Sequence, residues 1–137
     1  MTPGDPGRVR DMSAADVQVR ADAARRFLEV AEMVAEEADT DYRPVSASLA
    51  VLAGIAASDA ICGHVLKKRS RAQEHRQAVD LLRTVRGAGG AARALDRLLD
   101  IKDAAQYGTT ALSADRTRGA VKAAATVVDE MESILRT

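Results

Sequence analysis

Apolar and polar residues recur along this chain with the period of an α-helix, in blocks separated by turn-forming residues. The first block places Val17, Ala21, Ala24, Leu28, Ala31 and Ala35 on one stripe, while Arg20, Asp22, Arg26, Glu29 and Glu36 cover other faces. Ser13 precedes it with Asp16 three residues on, a variant of the capping box, so an amphipathic helix is predicted from 13 to about 38. The segment DTDYRP breaks it, and Pro44 falls in the first turn of the next helix, where a missing N–H does no harm. That second block, 45–66, is apolar nearly all round, the mark of the most buried helix. Within it Ala50, Gly54 and Ser58 recur every four residues, a small-residue face on which another helix can approach closely, within the bundle or across a dimer.

A basic turn, KKRSR, ends the second helix, and a third is predicted over roughly 72–86. GAGG at 87–90 is a stop and turn, followed by a fourth helix over about 91–107 with Gly108 as its C′ residue. Ser113 or Asp115 caps the last helix, which presents Val121, Ala124, Val128, Met131 and Leu135 on one face. No segment shows strand alternation or a hairpin turn. The pattern predicts an all-α fold, an antiparallel up-and-down bundle of four main helices plus one shorter helix. Residues 1–12 hold all but one of the prolines and two of the nine glycines, and read as a flexible tail before a single domain over 13–137.

Composition narrows this picture. A chain of 137 residues is long enough to bury a core without disulfides or a metal. Aromatics are only 2%, so the core must be built from Leu, Val, Ile, Met and Ala in closely packed helices. Twenty basic and twenty acidic residues give zero net charge, which excludes a global pull on nucleic acid or anionic membrane and leaves only local patches. Cys62 is alone, so no intramolecular disulfide forms, which suits a reducing cytoplasm; it reads as a small buried hydrophobe. The N-terminus MTPGDPGRVR has no apolar core of a secretory signal. The 45–66 block is long enough to span a bilayer, but Asp59, Ser58, His64, Gly54 and Gly63 within it point to a buried central helix, so no membrane association is expected.

Asp59 carries the candidate chemistry. It shares a helical face with Leu52, Ile55, Cys62 and Leu66, so it faces a core, where an unpaired charge is costly. His75 lies on the face of Val79 and Leu82, and Lys102 on that of Leu95, Leu98 and Ala105. With Tyr107 these residues form one prospective polar cluster, either a buried device that fixes helix register or a site where His75 or Lys102 meets a phosphodiester. Lys67, Lys68, Arg69 and Arg71 form a basic turn that suits a helix C-terminus, with Arg69 and Arg71 as candidate phosphate contacts. His64 and His75 lie eleven apart, without metal-ligand spacing, and no glycine motif matches a phosphate loop; no metal or cofactor is expected.

These segments also carry a resemblance. SASLAVLAGIAASDAI, a basic turn with Arg69 and Ser70, EHRQAVDLL, and LLDIKDAAQYG before an Ala/Val-rich closing helix are together similar to the HEPN superfamily, most closely to small stand-alone actinobacterial members. The resemblance covers about 45–135 and extends to helical substrate-binding subunits of nucleotidyltransferases. It implies a homodimeric bundle in a toxin–antitoxin or defence-type system, associated with RNA or a nucleotide, beside a small nucleotidyltransferase or other antitoxin-like protein. Active members are metal-independent endoribonucleases with an Arg, four to six residues, then a His near the fourth helix. Here the matching segment reads Lys102-Asp103-Ala104-Ala105-Gln106-Tyr107, with Lys for Arg and no His; a formal Arg69-to-His75 pair lies before the third helix instead. If the chain cleaves RNA, His75 is the expected acid/base, with Lys102 or Arg69 stabilising phosphorane charge. The competing expectation is a non-catalytic module that dimerises or docks a partner protein through helix two or the outer helices.

Overall fold

A computed structural model of the chain describes residues 9–70 and 76–137. Four long helices and one short one account for most of it: α1 (Ala14–Ala35), α2 (Arg43–Leu66), α3 (Arg76–Arg83), α4 (Gly89–Tyr107) and α5 (Ala114–Leu135). The fold is all-α. Two three-residue strands, β1 (Val9–Asp11) and β2 (Lys68–Ser70), pair antiparallel, with Val9 opposite Ser70 and Asp11 opposite Lys68. No alternation is legible in segments this short, and their pairing departs from the strand-free expectation.

The helix ends follow local chemistry. Ser13 caps α1 in a full capping box, its side chain accepting from the Asp16 N–H while Asp16 accepts from the Ser13 N–H. Pro44 lies in the first turn of α2, and Ser113 caps α5. Gly87, at φ 87°, makes the turn in GAGG, but Gly89 and Gly90 already belong to α4. Ala88 offers α4 no side-chain cap; instead the Glu130 carboxylate of α5 accepts from the Ala91 N–H at 2.9 Å. Gly108 is not a left-handed C′ residue. It is extended, at φ −70° and ψ 150°, and is needed because a Cβ there would stand 2.6 Å from the Ala104 carbonyl oxygen.

Helix α2 lies at the centre and packs against α1, α4 and α5. The small-residue face works inside the molecule: Ala50, Gly54 and Ser58 are all buried, and a Cβ on Gly54 would collide with Leu98 of α4. Ser46 of α2 donates to the Ala31 carbonyl of α1 at 2.8 Å, which holds the first two helices in register. The stretch Thr40–Leu66 is long and apolar enough to cross a membrane, and most of it is buried against the other helices, as in the core of a soluble protein.

Residues 9–12, the end of the expected tail, are joined to the helices. Met12 is 6% exposed, its N–H donates to the Lys67 carbonyl at 2.8 Å, and its side chain occupies the space that a Cβ on Gly63 would need. Strand pairing and one buried methionine thus fasten residues 9–12 to the end of α2.

Candidate functional site

Asp59 is buried as its sequence position demands, at 5% exposure. Its Oδ2 accepts from Arg20 Nε at 3.0 Å and from Arg69 Nη1 at 2.9 Å. Helix α1 supplies Arg20, and β2 supplies Arg69 directly after the left-handed Lys67 has turned the chain. The carboxylate therefore joins three consecutive parts of the fold. Burial pushes the Asp59 carboxyl above its ordinary value, and the two guanidinium groups pull it back. Three residues further along α2, burial and then the Asp59 charge push the Cys62 thiol up to about 12, against a hydrogen bond from Ser58. A thiol so placed is inert, and Cys62 packs as the small hydrophobe expected of it.

The prospective four-residue cluster does not assemble among the described residues. Tyr107 is the last residue of α4 and is 75% exposed. Lys102 is half-buried beside Ile101 and makes no ion pair among the described residues. The reason is angular. Helix α4 meets α2 at Gly54, five residues before Asp59, which at 100° per residue lies about 140° around the helix from it. Asp59 thus faces α1 and β2, not α4. Arg69, expected to contact phosphate, has its charge committed to Asp59, and its Nε is buried without a hydrogen-bond partner in the structure. His75 and Arg71 lie outside the described residues.

Arg20 is the partner that sequence reasoning missed by assigning it to a solvent-covering face. The signal was present: Arg20 stands three residues after Val17 and four before Ala24, at the edge of the buried stripe. Among the described residues no group of three His, Cys, Asp or Glu side chains is arranged to hold a metal ion. The site can tie α1, α2 and β2 together, and among the described residues it presents no nucleophile or acid–base pair to a ligand.

Neither a protein-family model nor a curated protein matches the chain. The functional reading therefore rests on geometry and on the sequence resemblance.

Proposed function

We propose that the chain is a HEPN-like domain, an antiparallel helical bundle that associates with RNA or a nucleotide by binding rather than by cleavage. It would act as a cytoplasmic homodimer in a toxin–antitoxin or defence-type system, beside a small nucleotidyltransferase or other antitoxin-like protein. One observation carries this reading. The end of α4, which holds the segment most similar to the family's motif, offers solvent an exposed Tyr107 and a half-buried Lys102 with no ion pair among the described residues. Lysine holds a phosphate as a point charge but lacks the bidentate fork of arginine, and no histidine stands five residues on to move a proton.

The test is incubation of the purified protein with RNA in EDTA, alongside equilibrium binding of the same RNA. The expected result is intact RNA, bound by the wild type and bound less tightly by Lys102→Ala. Cleavage abolished by both His75→Ala and Lys102→Ala would replace this reading with a metal-independent ribonuclease.

A second reading, a module that docks a protein or a second copy, is favoured by a different observation. Val45 and Leu52, on the Asp59 face of α2, are 46% and 39% exposed. Sedimentation of the wild type against Leu52→Arg tests it, with a shift to monomer in the variant expected if this face is the contact.

A further inference from the structure

We propose that the groove between α4 and α5 binds the phosphate groups of an anionic ligand. The groove has a volume of about 360 Å³. Its floor includes the buried Ile101, Ala120 and Ala123, and its walls carry Arg97 from α4 with Arg116 and Lys122 from α5. All three cations are exposed, and none of them makes an ion pair among the described residues.

Among the described residues the lining sets these three cations against one carboxylate, and the nearby acids have guanidinium partners of their own. That carboxylate, Asp100, accepts from Arg76 Nη2 at 2.8 Å, and Asp96 shares the same guanidinium. Asp115, one residue from Arg116, pairs with Arg118. In a chain of zero net charge this is a local excess of positive charge, set over an apolar floor by two separate helices. The space beside Gly119 on the α5 wall is open, and a Cβ there would meet nothing within 4 Å.

The lining also defines the class of ligand. Two guanidinium groups can each grip a phosphate through paired N–H donors, and the lysine adds a point charge. Among the described residues no aromatic ring lines the groove to stack on bases, so recognition is of phosphates without regard to sequence. A phosphodiester backbone and a free polyphosphate share this chemistry. The choice of RNA between them rests on the function proposed above; the phosphate site does not.

The test compares the wild type with an Arg97→Gln, Arg116→Gln, Lys122→Gln triple variant and with Arg26→Gln, Arg83→Gln, Arg86→Gln, which removes equal charge from exposed positions elsewhere. Binding of a labelled single-stranded RNA, of pyrophosphate and of ATP is measured at low salt, with melting curves to confirm folding. The groove variant is expected to bind at least about tenfold more weakly and the control to stay within about twofold, with a wild-type slope of log affinity on log salt for RNA near about −2 for three phosphate contacts. Pyrophosphate or ATP bound as well as RNA identifies a free polyphosphate as ligand, and binding of RNA alone identifies the phosphodiester backbone. Wild-type protein that binds none of the three probes, or equal losses in the two triple variants, overturns the proposal. Loss of RNA binding in Lys102→Ala but not in the groove variant also overturns it while leaving the RNA-associated function standing. Groove-dependent pyrophosphate binding without RNA binding does the reverse.

Discussion

At Asp59 the burial of the three charged partners is unequal: the carboxylate side chain is 6% exposed, while those of Arg20 and Arg69 are 29% and 23% exposed. The desolvation penalty therefore falls mainly on the carboxylate, which is why its folded-state value rises above the ordinary 3.8 despite two cations. A raised carboxyl value means that the stabilising contribution is complete below the ordinary value and declines as pH climbs through the folded one. The acceptor, more than the charge, is then what Arg20 and Arg69 require. Asp59→Asn, which keeps an oxygen in place, should change stability by less than about 1 kcal/mol, whereas Asp59→Ala, which leaves both donors without it, should cost about 2–3 kcal/mol. Urea unfolding of the two variants decides this; equal and large losses would show that the charge itself holds the contact.

Between elements, close approach and ion pairing set the packing. Leu98 occupies the space above Gly54, so Gly54→Ala overpacks the α2–α4 contact while Leu98→Ala empties it. The double variant should unfold with a loss about 1 kcal/mol or more smaller than the sum of the single losses, measured as a double-mutant cycle by thermal melts. The four-residue spacing of Ala50, Gly54 and Ser58 made this close face legible in the sequence. Which helix would use it was not legible, because small residues advertise proximity without naming the partner. Helices α1 and α5 are joined differently: Arg25 Nε stands 3.0 Å from Glu132 Oε2 and Nη2 stands 2.5 Å from Oε1. The Arg25 hydrogen bond, opposed by burial and helped by its charge, holds the Glu132 carboxyl below its ordinary value of 4.5. A depressed value gives stability that is present above 4.5 and lost as pH falls through the folded value. Glu132→Gln should therefore lower the melting temperature near about pH 7, and the difference should shrink as pH falls through the folded value of the wild-type carboxyl.

For the molecule as a whole, the N-terminal ribbon closes one end of the helical assembly. Met12 and Val17 of α1 both close on Gly63 of α2, and β1 holds β2 in the position from which Arg69 reaches Asp59. Met12→Ala should therefore destabilise the entire domain by about 2–3 kcal/mol in a single cooperative transition, as for other buried methionines. A change under about 0.5 kcal/mol, the usual scale of surface substitutions, would mean that residues 9–12 are the loose tail their proline- and glycine-rich surroundings imply.

The sequence by itself determined the helices, because a stripe repeating every three or four residues can be buried only on a helix, and Ser13, Pro44 and Ser113 mark helix starts through purely local bonding. It also determined that Asp59 must be buried and partnered, since its neighbours on α2 are apolar. The tertiary structure alone decided the partners: Arg20 lies 39 residues away in the chain and Arg69 ten, and both reach the carboxylate because α1 and β2 face that side of α2. It alone decided that α4 meets α2 about 140° around the helix from Asp59, which leaves Lys102 and Tyr107 apart from it. The cations of the α4–α5 groove likewise became neighbours only when two helices packed, because charges on separate amphipathic segments carry no local signature of one another.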